Sequence, residues 1–328
     1  MAQPNHDPCA GDVLGAYLRA QATAFLRGLR LHEESGPDAA EAAGAALALR
    51  GAARRICASL TTFRPVTDQP WADSLRTELT WLSTTLAAEH AHGALLGRLL
   101  DALHRLSGGP EVPGQRAGTG RSALTVGPAR AGALLERQLT LARTRSHSAT
   151  LQALGSARFH AVADAVAVLA SEVPLDPIAA AGRTDSVLVP LAALTTDRLT
   201  TAVGDLPLLR AAHPYNAEAL VEDEQQDAPW HRVRSLLRVH RYAQETLAGP
   251  PDLLARLTAA GEALDRHRDA SAAAAASATA ARTPRIAPAT AYTLGVLHAD
   301  QRHEVEAARF DFQRIWLRAA VPAGGGPG

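Results

Sequence analysis

Apolar residues recur along most of this chain at the three-and-four spacing of one helix face, and the runs are interrupted at Pro and Gly. Leu14, Leu18 and Phe25 lie on the first such stripe and predict a helix over about 12–31, closed by Gly36 and Pro37. A second helix is expected from about 38 to 63, ending before Pro65, and a third from Pro70 to the Ser-Gly-Gly-Pro at 107–110. The fixed φ of Pro70 suits a first helical turn. Residues 107–129 are rich in Gly, Pro, Ser and Arg and read as a flexible connector.

Helical patterning resumes at Ala131, breaks at Gly155 and ends near Pro174. Further helices are expected in "LVPLAALTTDRLTTAVGDL", over 231–245 and in "PPDLLARLTAAGEALDRHRDA". The Ala/Ser/Thr tract that follows, with Pro284 and Pro288, reads as a loop before a last helix over about 290–320. Residues 1–10 and 321–328 read as disordered ends. Because Ala and Leu dominate the 47% hydrophobic content and β-branched runs are short, the expected fold class is all-α.

One spacing occurs twice. Leu47, Arg50, Arg54 and Cys57 stand at i, i+3, i+7 and i+10, as do His231, Arg234, Arg238 and Arg241, 184 residues later. Each set lies on the second helix of its half and precedes a helix opened by Pro. This predicts an internal duplication within one domain over 11–320: two four-helix-bundle halves, 11–173 and 176–320, related by pseudo-two-fold symmetry, with the two basic rows facing each other across its centre.

The row at 231–241 poses a question of charge. At about 100° per residue, His231, Arg234, Arg238 and Arg241 fall within a sector of roughly 80°, opposite Val233, Leu236 and Leu237. Like charges stacked this way repel, and no acid stands among them before Glu245. Guanidinium forks match phosphate oxygens and keep their charge at physiological pH, so a linear polyanion is one answer to the row. A solvated face paired with acids on neighbouring helices is another, and spacing alone does not choose.

Composition narrows the partners. The 33 basic residues are all Arg and are balanced by 33 acids, and the pI is near 7.3. No net field then draws nucleic acid or an acidic membrane, so neither is an expected partner and any anion site must come from local clustering. Two cysteines offer at most one bridge, the opening residues lack a basic segment followed by an apolar one, and no run approaches 18 apolar residues, which points to the cytoplasm.

Other candidate groups are weaker. In "DRHRDA" (265–270), local pairing among Asp265, Arg266, Arg268 and Asp269 competes with an anion contact by His267. Glu89, His90 and His92 make a poor metal set, since residues two apart on a helix point to different faces. His298, Arg302 and Arg309 share a face with Glu304, Glu306 and Asp311 nearby, which predicts solvent-exposed pairing. There is no phosphate-binding Gly loop, His-Glu-x-x-His, nucleophile elbow or Cys-x-x-Cys, so no catalytic, metal or cofactor site is expected, and the protein is read as a non-enzyme.

Taken in order, "ALALRGAARRICASLTTFRPVTDQPWADSLRTELTWLSTTLAAEH", "HRVRSLLRVHRYAQE", "DRHRDA" and "AYTLGVLHADQRHEVEAARFDFQRIW" resemble successive segments of the CHAD family, the conserved-histidine α-helical domains. The resemblance spans about 12–318 and implies non-catalytic binding of inorganic polyphosphate in a basic central groove, with association to polyphosphate granules. By position it assigns the contacts to Arg50, Arg54, Arg55, His231, Arg234, Arg238, Arg241 and His267. The sequence departs from the family where Leu47, Cys57, Thr61 and Val239 replace basic positions. A diverged relative that has lost the ligand and serves as a protein-interaction module is the alternative these departures suggest.

Overall fold

The computed structural model describes residues 8–34, 39–107, 120–213 and 226–318. Among them are eleven α-helices and no strand: α1 (Ala10–Glu34), α2 (Ala39–Thr62), α3 (Gln69–Ser107), α4 (Gly120–Leu154), α5 (Ala157–Ser171), α6 (Pro177–Ala181), α7 (Thr184–Gly204), α8 (Leu208–Ala211), α9 (Ala228–Thr246), α10 (Pro251–Ala281) and α11 (Pro288–Leu317). The expected all-α class is the observed one.

Local chemistry explains several of the ends. Asp68 accepts the Trp71 backbone N–H at 3.0 Å and opens α3, with Pro70 in the first turn as expected. The break at Gly155 is closed by Ser156, whose hydroxyl accepts the Phe159 N–H at 3.2 Å and starts α5. Asp176 caps α6 through the Ile178 and Ala179 amides.

Three expectations are corrected. Residues 8–10 are ordered: Ala10 already belongs to α1 and its N–H donates to the Gly182 carbonyl at 2.8 Å, while Thr184 donates to the Pro8 carbonyl at 2.7 Å. The connector read over 107–129 is helical from Gly120, while 108–119 lie outside the described residues, as do 1–7 and 319–328 of the ends. A Cβ on Gly127 would stand 2.7 Å from Thr293 Oγ1 and 2.9 Å from the Ala289 carbonyl oxygen, so this glycine lets α4 approach α11 rather than making a turn. The Ala/Ser/Thr tract is the second half of α10, with Ala270, Ala273, Ala274, Ser277 and Ala280 buried.

The chain forms two compact units, each discontinuous in sequence. The first contains residues 1–90, 145–201 and 235–254, and the second contains 91–144, 202–234 and 255–328. Neither coincides with the halves 11–173 and 176–320, since each unit draws on both. Helix length is the physical reason. At 1.5 Å per residue the 39 residues of α3 reach about 58 Å, more than one small core can cover. In the first unit, Leu14, Leu18 and Phe25 pack with Leu49, Ile56 and Leu60 of α2, with Leu79 and Leu82 of α3, with Val166 of α5 and with Ala243 of α9. In the second, Leu99 and Leu103 of α3 join Ala131 and Leu135 of α4, Ala273 of α10, and Leu294 and Leu297 of α11.

Candidate functional site

Helix α9 carries the basic row. Its apolar side is set by burial of Trp230 and Val233 in the second unit and of Leu237, Tyr242 and Ala243 in the first. His231, Arg234, Arg238 and Arg241 are all half-buried, held at the margin between core and solvent. Carbon stems packed against apolar neighbours with guanidinium heads reaching outward is the arrangement expected of such positions.

In the first unit, α2 supplies Arg50, Arg54 and Arg55, also half-buried. Glu245 lies among the basic groups. It accepts a hydrogen bond from Arg55 Nε at 2.8 Å, another from the Tyr17 hydroxyl at 3.1 Å, and stands 3.4 Å from Arg241 Nε. The Arg55 and Arg241 guanidiniums each lie 4.9 Å from the centre of the Tyr242 ring. Burial and then the Glu245 charge raise the Tyr17 pKa, so its hydroxyl remains a neutral donor to the carboxylate. The Arg54 Nε is buried without a hydrogen-bond partner among the described residues.

The departures from basic character are visible beside these groups. Leu47 is an exposed apolar residue, Thr61 donates to the Cys57 carbonyl of its own helix at 2.8 Å, and burial pushes the Cys57 thiol up to about 11. His240, not singled out by the sequence, is buried with Nδ1 2.9 Å from the Thr195 hydroxyl, and burial lowers its pKa.

In the second unit, Arg234 donates a short hydrogen bond to Asp265 of α10, its own charge disfavoured by burial and supported by that carboxylate. His267 is placed differently from the sequence reading. It is 0% exposed, stacked on Trp230 at 5.7 Å and meeting the edge of His231 at 5.3 Å, with Nε2 3.5 Å from Asp227 Oδ1. Burial lowers its pKa to about 4 despite the opposing pull of Asp227, so the ring is neutral at physiological pH. A side chain closed off from solvent does not present itself to a dissolved polyanion, so where the sequence reading made His267 an anion contact, the structure shows an interior residue. His231, half-buried beside it, is also lowered by burial and is a neutral donor.

The group His267 helps to enclose was not anticipated. Asp227, just ahead of α9, takes Arg302 Nη1 at 2.7 Å and Arg309 Nη2 at 2.6 Å, and Arg309 Nη1 also reaches Glu306 at 2.7 Å. All four side chains are buried. Burial alone would raise the Asp227 pKa, but the neighbouring His267 ring and the hydrogen bond and charge of Arg302 outweigh it and hold the carboxyl well below the usual range. The α11 face expected to be a solvent-exposed charge mixture is thus an interior ion cluster. The available sequence signal was the spacing of Arg302, Glu306 and Arg309, which falls on one side of a helix together with buried Val305 and Phe312.

Of the pairing expected within 265–270, Arg268 with Asp269 at 2.5 Å is present, whereas Arg266 pairs with Asp311 of α11 at 2.8 Å and Asp265 with Arg234; Glu89 of α3 pairs with His147 of α4 at 3.0 Å. Among the described residues no single helix is long and apolar enough to cross a membrane.

Comparison with known proteins adds identity to this geometry. The CHAD domain family model matches residues 20–278. No curated protein matches the chain. A solved structure of PptA from Streptomyces chartreusis superposes with a TM-score of 0.79 at 59% sequence identity, covering 94% of this chain and 99% of that one. The family match takes in α2, α9 and the part of α10 that bears His267, and the all-helical fold is shared with a solved relative over nearly its whole length, so the chain belongs to the CHAD domain family.

Proposed function

We propose that this protein binds inorganic polyphosphate, or a polyanion of the same linear phosphate chemistry, and does not turn it over. Family membership supports the ligand class. The observation that carries the reading is α9 itself, an unbroken helix with four basic side chains on one row, each half-buried and none sunk in a core. Guanidinium heads held this way are partly desolvated and pre-positioned, which strengthens charge-assisted bonds to phosphoryl oxygens. Arg50, Arg54 and Arg55 on α2 are the further contacts, and His231 contributes a neutral N–H. His267 is excluded from direct contact and acts by supporting His231 and Trp230.

The neutral whole-molecule charge gives the ligand no long-range attraction, so binding rests on this local row. The test is a titration with long-chain polyphosphate at two salt concentrations. Binding at low ionic strength that weakens steeply with salt, and loss of binding in Arg54→Glu/Arg238→Glu, are expected. A flat salt response overturns the reading.

A second reading has one observation in its favour. Glu245 and Asp265 already pair with Arg55, Arg241 and Arg234, which is how a basic row that has lost its ligand would be neutralised. In that case the domain serves as a protein-interaction module, and long-chain polyphosphate does not bind even at low salt.

A further inference from the structure

In the first unit one carboxylate stands on two of the arginines proposed to hold the ligand. Glu245 touches two arginines of the proposed contact set, Arg55 at 2.8 Å and Arg241 at 3.4 Å, and is fixed by the Tyr17 hydroxyl at 3.1 Å. Both guanidiniums are also held against Tyr242 at 4.9 Å, so neither is free to swing far from this carboxylate. The Arg55, Arg241 and Glu245 side chains are 31%, 21% and 22% exposed, which keeps the trio partly screened from water yet reachable from it. One carboxylate shared by two guanidiniums leaves a net positive charge, so the neutralisation is incomplete. The second unit repeats the device in simpler form, with Asp265 on Arg234.

We propose that Glu245 is an internal competitor for the ligand, an autoinhibitory counter-ion that a polyphosphate chain must displace from Arg55 and Arg241, with Tyr17 as the latch that holds it in place. This rests on the polyanion reading and adds to it a built-in threshold. A short or weakly charged anion fails to displace the carboxylate, whereas a long chain engaging the remaining arginines of α2 and α9 gains enough contacts to do so. Selectivity for chain length then follows from the protein's own carboxylate set against the extent of the basic row.

The experiment compares full-length wild type, Glu245→Gln, Tyr17→Phe and Glu34→Gln for binding of tripolyphosphate and of long-chain polyphosphate across a salt series. Glu245→Gln keeps the size of the side chain and one acceptor for Arg55. Glu34, an exposed surface acid paired with Arg30, controls for the change in net charge. The expected result is about tenfold tighter binding for Glu245→Gln, a smaller gain for Tyr17→Phe, a change within about twofold for Glu34→Gln, and a gain larger for tripolyphosphate than for the long chain. The salt dependence of Glu245→Gln should be steeper, because its arginines then hold solution anions that binding releases.

Weaker or unchanged binding in Glu245→Gln, with thermal unfolding confirming a folded protein, overturns the competitor and makes Glu245 a residue that orients the arginines. An equal gain in Glu34→Gln also overturns it. Wild type that binds while Glu245→Gln shows no gain rejects this inference alone. Absence of binding in every variant rejects the polyanion reading as well.

Discussion

A buried carboxylate between two buried guanidiniums makes Asp227 the residue on which the second unit's ion cluster depends. Removing its charge leaves Arg302 and Arg309 buried, with Glu306 beside Arg309 as the acid remaining in the cluster among the described residues. Asp227→Asn is expected to cost about 3–5 kcal/mol in urea unfolding, whereas Glu34→Gln should fall within about 0.5 kcal/mol. The same cluster sets an acid limit. His267 has a folded pKa of about 4 against an ordinary 6.5, so between these values the unfolded chain takes up a proton that the folded chain refuses. Its contribution is therefore complete above about pH 6.5 and fades as pH falls toward 4, by roughly 3 kcal/mol in all. Asp227, held below its ordinary range, continues the loss in the same direction at lower pH. His267→Phe, which keeps a ring against Trp230, should flatten the decline between pH 6.5 and 4 in unfolding midpoints. An unchanged slope would show that His267 is not the group responsible.

At the level of helices, what the sequence made legible follows how strongly the pattern alternates. The first three helices are bounded within a few residues because large apolar side chains mark their faces and Pro65 and Pro70 mark their junction. Two stretches were misread because their helical reason lies in a neighbour. The Ala/Ser/Thr part of α10 has no large side chain to form a stripe, yet Ala is the best helix former and small residues are what close packing requires. Gly127 and Pro128 look like breakers until α11 is known to lie 2.7 Å from where a glycine side chain would begin. Ala273→Leu is accordingly expected to destabilise by about 1–3 kcal/mol through overpacking against Leu99 and Leu294, measured by thermal or urea unfolding. The basic row of α9 was fully legible, since charge and period both sit in one short segment. Its carboxylate partners were not, because Glu245 meets Arg55 across 190 residues of chain and Asp265 meets Arg234 from a different helix.

For the whole molecule, the division into units matters more than the division into halves. The core of the first unit includes Ala243, with Leu247 packed against it, and that of the second includes Leu294 and Leu297, so both cores need chain that lies well past the middle of the sequence. Fragments 1–174 and 175–328 produced separately should each show poor cooperativity and exposed apolar surface. Co-expression should restore a single sharp transition, and a well-folded isolated fragment would contradict the assignment of units. The same arrangement bears on how the protein is made. At about 5–20 residues per second, a ribosome completes residues 1–90 and 145–201 of unit one about 2–7 seconds before residue 235 follows and the segment 235–254 can seal them. The nascent chain must therefore wait, greasy and unfinished, and its dependence on holding chaperones during translation should exceed that of an ordinary protein of equal length.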